Sequence, residues 1–256
     1  MSGAAPTDPR SLATVEHDGR SDEVAVEEPL EIRVDGEPLA VTMRTPGDDE
    51  ELALGFLHGE GLIDAPHAAG PPPGLEANIV EVAGPLLRDP GSRSFYATSS
   101  CGVCGKGALE EVAVHAERLP DGPPIGRDLL AALPDHLRQP TFARTGGQHA
   151  TGLFRADGEL LRVREDVGRH NAMDKAIGAL LLEGRFPLPG VLACVSGRAS
   201  FELVQKTSLA GMAGMVAVGA PSSLAVELAR ERRMLLCGFV RDGSFNVYAG
   251  ADRLAG

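Results

Sequence analysis

The chain has 256 residues, room for one large domain or one domain with a smaller appendage, and its 43% apolar residues are enough for a substantial core. Aromatics are only 4% and Trp is absent, so Leu, Val, Ala and Met must fill that core, while 32 Gly and 19 Pro imply many tight turns. A formal net charge of -12 argues against sequence-independent binding to nucleic acid, though not against a local basic pocket for a nucleotide.

Residues 1–28 carry seven acids and two Arg with almost no periodic apolar pattern, which suggests a mobile, disordered acidic tail. Order is expected from Leu30. Leu30, Ile32 and Val34 alternate with polar residues, Asp35-Gly36 offers a tight turn, and Leu39, Val41 and Met43 alternate again, as in a β-hairpin. Asp48 is a candidate N-cap for a helix with apolar Leu52, Phe56 and Leu57, and Glu51 stands at the capping-box spacing. Residues 64–76 read as a variable loop, Ile79 to Val82 as a strand, and Phe95-Tyr96 as a short strand entering a Cys loop. Ala108 to Leu119 reads as a helix behind that loop, and residues 120–126 as a Pro/Gly loop.

A second hairpin is signalled over 150–165 around Asp157-Gly158. A helix at about 169–183 follows, with Met173, Ile177, Leu180 and Leu181 as its buried face. Gly190 to Val195 is a continuous apolar run, hence a buried strand. A helix at 199–212, a strand at 214–218, a helix at 222–232 and a strand at 234–240 complete the series. This alternation implies a parallel sheet with helices packed on it, and ligands of such sheets sit beyond the carboxyl ends of the strands. Those ends are Ser196-Gly197-Arg198, Gly219-Ala220 and Phe239-Val240-Arg241.

The densest chemistry lies at Cys101-Gly102-Val103-Cys104-Gly105-Lys106. Cys-x-x-Cys serves as a redox dithiol, as half of a metal site, or as a persulfide carrier, and each use needs a thiolate. Flanking Gly residues free backbone N–H groups, Lys106 adds a positive charge, and a helix starting just behind would aim its positive end at the sulfurs; each lowers a thiol pKa. Cys194 and Cys237 sit in apolar strands and read as core residues. His58-Gly59-Glu60 upstream of the Cys pair superficially matches the zinc nucleoside deaminase pattern, but Ser100 replaces the Pro expected before Cys101, and His58 reads as an ordinary surface residue of its helix. No second Cys/His pair at zinc spacing is evident, and the Cys pair does not open a thioredoxin-like βαβ unit. No apolar run approaches the roughly 18–20 residues of a membrane span. The N-terminus lacks a basic start followed by an apolar stretch, so no secretory signal is expected. With four Cys in a chain of this size, a reducing, cytoplasmic location is expected.

Two further polar clusters stand at helix starts. Arg164 to Lys175 reads through Asp166 and Asn171 as candidate caps, with Arg169-His170 as an anion candidate. Ser196-Gly197-Arg198 ends a buried strand and is a phosphate or carboxylate candidate by the same physics.

Taken together, Ser99 to Gly105, Arg164 to Lys175, Ser196 to Lys206, and Cys237 to Arg241 with Asn246-Val247-Tyr248, in this order, resemble the FdhD/NarQ family, the sulfur carrier proteins needed to make formate dehydrogenase active. The resemblance spans about Leu30 to Tyr248. It implies a cytidine-deaminase-like sheet with helices packed on it over 96–256, and a smaller N-terminal β-containing part over 29–95. It implies a homodimer with a cysteine desulfurase and formate dehydrogenase as partners, and sulfurtransferase activity. Cys101 then bears a persulfide and Cys104 is its partner. The resemblance further implies that Phe239, Val240, Arg241, Asp242, Gly243 and Ser244 bind the guanine dinucleotide portion of the molybdenum or tungsten cofactor, a bis(molybdopterin guanine dinucleotide) that is substrate. No permanently bound metal is expected. Arg241, Arg198 and Arg169-His170 are the candidates for phosphate neutralisation.

Overall fold

Where Asp-Gly interrupts an alternating run, the chain turns back in a two-residue left-handed loop. Asp18-Gly19, Asp35-Gly36 and Asp242-Gly243 all have positive φ at both residues, between 50° and 85°, the geometry whose twist matches paired strands. The computed structural model describes residues 8–74, 77–89, 95–96, 119–120 and 122–255.

In chain order, the first strands are β1 (Leu12–His17), β2 (Arg20–Ala25), β3 (Glu28–Val34) and β4 (Glu37–Arg44), followed by helix α1 (Asp49–Gly59). Short strands β5 (Ala69–Gly70), β6 (Ile79–Val82) and β7 (Phe95–Tyr96) follow, then α2 (Arg127–Ala132), α3 (Pro140–Thr145), β8 (His149–Arg155), β9 (Leu160–Asp166) and α4 (Arg169–Leu182). The last stretch alternates β10 (Val191–Val195), α5 (Phe201–Leu209), β11 (Gly214–Ala217), α6 (Ser223–Glu231) and β12 (Leu235–Arg241), and closes with β13 (Ser244–Ala249). The expected helix over 108–119 lies outside the described residues apart from Leu119, and the expected loop over 64–76 contributes the two residues of β5.

The described residues form two units that interleave along the chain. The first takes the residues up to Tyr96 together with Gln139–His149 and Glu165–Gly184; the second takes Leu119 to Arg138, Ala150–Arg164 and Arg185 onward. Division at residue 95 is therefore too simple, because α3 and α4 belong with the N-terminal strands.

In the first unit a five-stranded sheet runs β5-β6-β3-β4-β7. The expected disordered tail over 1–28 is corrected within its described residues, 8–28, by the β1–β2 hairpin, with Leu12 paired to Ala25 and His17 to Arg20. Thr14 to His17 and Arg20 to Asp22 are all exposed, so the strands carry no apolar alternation. Their support comes from a distant segment: Arg144 of α3 bonds Glu23 of β2, and Gly147 lies against Ala25. Asp48 does occupy the N-cap position of α1, but in the left-handed region and without a capping hydrogen bond from its side chain. The neighbouring Asp49 instead receives Arg44, whose buried guanidinium reaches its two carboxylate oxygens at 2.8 and 3.0 Å and Asn78 Oδ1 at 2.9 Å. α1 and α4 cross backbone to backbone at Gly55 and Gly178.

The second unit is a six-stranded sheet in the order β13-β12-β11-β10-β8-β9. β10, β11 and β12 are parallel, as the strand–helix alternation implies, and the flanking pairs β10–β8 and β12–β13 are antiparallel. Leu130, Leu133, Leu137, Phe154, Leu192, Cys194, Val216, Leu235, Cys237 and Val240 pack into one buried cluster. Cys194 and Cys237 are thus core side chains, as their apolar strands suggest.

Candidate functional site

Three segments meet at the carboxyl edge of the parallel strands. After β10, Ser196 is latched to β8: its N–H donates to Ala150 O at 3.0 Å and its hydroxyl oxygen accepts from Ala150 N at 2.9 Å. Gly219 N–H donates to Gly197 O at 2.9 Å, and Gly219 O accepts from Phe239 N–H at 3.1 Å. The sheet pairing therefore continues past the strand ends as a chain of single bonds. Gly219 is required here by space: a Cβ would stand 3.0 Å from Gly197 O and 3.1 Å from Arg198 Cα and Cγ. Gly238 is similar, with Pro221 Cδ 2.9 Å and Tyr248 Cε2 3.1 Å from where its Cβ would lie.

Phe239 follows directly, and its backbone is unusual. Its φ is 54°, a left-handed value that a bulky side chain adopts at a cost. The register explains it. Gly238 pairs with Asn246 and Arg241 with Ser244, so β12 takes one more step than β13 between these pairs. This bulge buries Val240 and leaves Phe239 41% exposed. Asp242 and Gly243 then make the two-residue turn, and the Ser244 hydroxyl donates to Arg241 O at 3.1 Å.

Phe239, Arg241, Ser244, Phe245 and Asn246 line an open cavity of about 340 Å³. Of the residues singled out in the sequence, Phe239, Arg241 and Ser244 face it, Val240 faces the core, and Asp242 and Gly243 form the turn. Phe245 was missed, and Asn246 was singled out only within the resemblance, although Asp242-Gly243 followed by Phe245 and Val247 carries the same hairpin signal as Asp35-Gly36. Arg198 is exposed and lies along Gly219, whose carbonyl holds Phe239. Arg169 and His170 belong to the other unit, on the first turn of α4.

That first turn explains most of the Arg164–Lys175 cluster. Gly168, not Asp166 or Asn171, is the N-cap residue of α4. Asp166 is fully buried and accepts from Thr45 N at 3.1 Å, Gly168 N at 2.8 Å, Asn171 Nδ2 at 3.0 Å and Lys175 Nζ at 2.8 Å. Lys175 Nζ also donates to Thr45 O at 2.8 Å, and Gln148 Nε2 donates to Thr45 Oγ1 at 2.8 Å. The cluster is a buried fastener between β4, β9 and α4 in the first unit.

Cys101 and Cys104 lie outside the described residues. Among the described residues no group of three or more His, Cys, Asp or Glu is placed to hold a metal ion. His58 is buried in the last turn of α1, a correction to its reading as a surface residue. No helix among the described residues is long and apolar enough to cross a membrane.

Burial pushes the Cys194 thiol up, and it pushes Cys237 up to about 12, slightly opposed by the nearby Arg127 charge. Both are protonated and unreactive in the folded chain. Near pH 8, iodoacetamide is expected to leave both unmodified until guanidinium unfolds the chain, as peptide mapping reads directly. The folded state favours these thiols protonated, so their contribution to stability is full below the ordinary value of 9.0 and declines as pH rises from there towards 12.

A mixed sheet with three central parallel strands, helices in the crossovers, and an arginine-bearing cavity on its terminal hairpin define an α/β protein with a candidate ligand site at the strand ends. The chain belongs to the FdhD/NarQ family, whose model matches residues 25–255. Proteins named sulfur carrier protein FdhD from Streptomyces coelicolor and Mycobacterium tuberculosis are 51% and 48% identical to it, each over 92% of this chain and over 90% and 92% of their own lengths. The fold is similar to a crystal structure from Desulfotalea psychrophila, provisionally described as a formate dehydrogenase accessory protein, with a TM-score of 0.76 and 24% identity over 95% of this chain and 98% of that one. The β1–β2 hairpin precedes nearly all of the family match.

Proposed function

We propose that this chain is a cytoplasmic, homodimeric sulfur carrier that takes sulfur from a cysteine desulfurase on Cys101. It passes that sulfur to the bis(guanine dinucleotide) form of the molybdenum or tungsten cofactor destined for formate dehydrogenase. The observation that carries this reading is about half identity, over nine-tenths of the chain, to proteins named as sulfur carriers. The hairpin cavity supports the nucleotide half of the reading, offering an exposed aromatic ring, an arginine and an asparagine at the strand ends.

In the loading step the Cys101 thiolate attacks the terminal sulfur of the donor persulfide. A new S–S bond forms on Cys101, the donor S–S bond breaks, and the donor cysteine leaves as thiolate while the terminal sulfur keeps its proton. In the delivery step the Cys104 thiolate attacks Cys101 Sγ and expels hydrosulfide to the metal. The Cys101–Cys104 disulfide left behind is reduced by a cellular dithiol before the next cycle. The guanine dinucleotide portion of that substrate is held at Phe239 to Ser244.

Intact mass after incubation with a desulfurase and free cysteine tests this. The wild type is expected to gain about 32 Da, one sulfur, removable by a thiol reductant. Cys101→Ala is expected to gain none, and inert Cys194 and Cys237 give no background. A variant without Cys101 that still activates formate dehydrogenase fully would overturn the carrier role and leave a cofactor-binding chaperone.

A further inference from the structure

The two strands of the terminal hairpin sort their side chains between core and solvent. Cys237, Val240, Phe245 and Val247 go to the buried cluster, while Phe239, Arg241, Ser244 and Asn246 are exposed. These four exposed residues line the cavity of about 340 Å³ together with Phe245. Phe239 and Arg241 are both fixed at their roots. Phe239 N–H donates to Gly219 O at 3.1 Å, which ties it to the end of β11. Arg241 pairs with Ser244 across the Asp242-Gly243 turn, and the Ser244 hydroxyl donates to Arg241 O at 3.1 Å.

The polar part of this lining is uneven in what it can recognise. An aromatic ring stacks on any base, so Phe239 supplies affinity without choosing between bases. The Asn246 amide carries both a donor and an acceptor, and it turns over to suit either purine. The Ser244 hydroxyl is engaged on Arg241 O. Arg241 is different: a guanidinium has donors only, and this one has no carboxylate partner among the described residues. A fork of donors needs two adjacent acceptors. Guanine offers them at O6 and N7, whereas adenine sets the N6 amino donor beside N7. Facing guanine's N1–H and N2 amino groups, the same fork would meet donors. The cavity volume lies at the small end for ligand sites, room for a nucleoside more than for a whole nucleotide.

We propose that Arg241 reads the base and not the phosphates: its guanidinium donates to O6 and N7 of a guanine stacked on Phe239, and so selects guanine over adenine. The diphosphate then lies beyond the fork. This assignment rests on the nucleotide half of the function proposed above, and the test separates the two.

Isothermal titration of the full chain with GDP, IDP, 7-deaza-GDP, ADP and guanosine reads the contact atom by atom. The wild type is expected to bind GDP and IDP alike, because hypoxanthine keeps O6 and N7, and to bind ADP and 7-deaza-GDP about tenfold more weakly. Arg241→Gln is expected to weaken GDP and guanosine by the same factor, about tenfold, and to leave ADP unchanged, which removes the guanine preference. Weakening of GDP and ADP alike with guanosine unchanged would place Arg241 on the phosphates; it would overturn the base contact while the nucleotide reading stands. Equal weakening of all five ligands would mean that Arg241 only supports the hairpin, and unchanged binding of all five that it touches none of them; either would overturn the assignment. A wild type that binds GDP much more tightly than IDP reads the N2 edge, which would overturn it as well. A wild type that binds none of the five would overturn both the assignment and the nucleotide reading.

Discussion

Gly178→Ala is expected to lower the stability of the chain by about 2 kcal/mol, read as a lower urea midpoint with an unchanged slope. A Cβ at Gly178 would stand 1.8 Å from Glu51 O and 2.6 Å from Glu51 C, both atoms of the α1 backbone. A carbonyl in a helix cannot rotate aside, so α1 and α4 must move apart. That separation loosens Leu52, Leu54 and Leu57 on one helix and Met173, Ile177 and Leu180 on the other, all fully buried. Overpacking costs about 1–3 kcal/mol where a core can yield, and this backbone obstacle places the cost at the upper end. Alanine's advantage over glycine within a helix returns about 1 kcal/mol, too little to reverse the sign. Gly55 mirrors the arrangement, its Cβ falling 1.9 Å from Asp174 O. Because one displacement of the helices relieves both clashes, Gly55→Ala and Gly178→Ala combined should cost less than the sum of the two. Full additivity would show that the helices do not separate as a pair.

These two glycines also mark how far the sequence could be read. A glycine inside a helical pattern signals close approach, but which helix approaches is a tertiary fact. The β3–β4 and β8–β9 hairpins and the parallel β10, β11 and β12 follow from local alternation, Asp-Gly turns and apolar runs, and they appear within a residue or two of the expected limits. The β1–β2 hairpin did not follow, because its outer residues face solvent and its support arrives from α3, more than a hundred residues on. The same holds at the site. Arg241 and Ser244 were legible from the resemblance. The left-handed Phe239 depends on a register shift against β13, so it is not encoded locally. Asp166 was legible as a polar residue near a helix start, but its task is to receive Thr45 and Lys175 inside the unit rather than to cap α4.

That buried pair carries the second large effect. Asp166→Asn is expected to cost about 3–5 kcal/mol, and Lys175→Met about 2 kcal/mol, by urea denaturation. The asymmetry comes from what each partner retains. Without the lysine charge, the Asp166 carboxylate still accepts from Thr45 N, Gly168 N and Asn171 Nδ2, between 2.8 and 3.1 Å. Without the carboxylate charge, the Lys175 ammonium, 1% exposed, keeps Thr45 O as its acceptor at 2.8 Å, and an asparagine N–H₂ turns a donor towards it. An ion left buried with too few partners is worse than a pair removed together. In the double variant Asp166→Asn with Lys175→Met no ammonium remains to be stranded, so the double should be more stable than Asp166→Asn alone, with a coupling of about 3 kcal/mol, larger than the cost of Lys175→Met. Equal losses in the two single variants would mean that the three N–H donors do not sustain the carboxylate, and that the lysine, not the backbone, holds Asp166 in place.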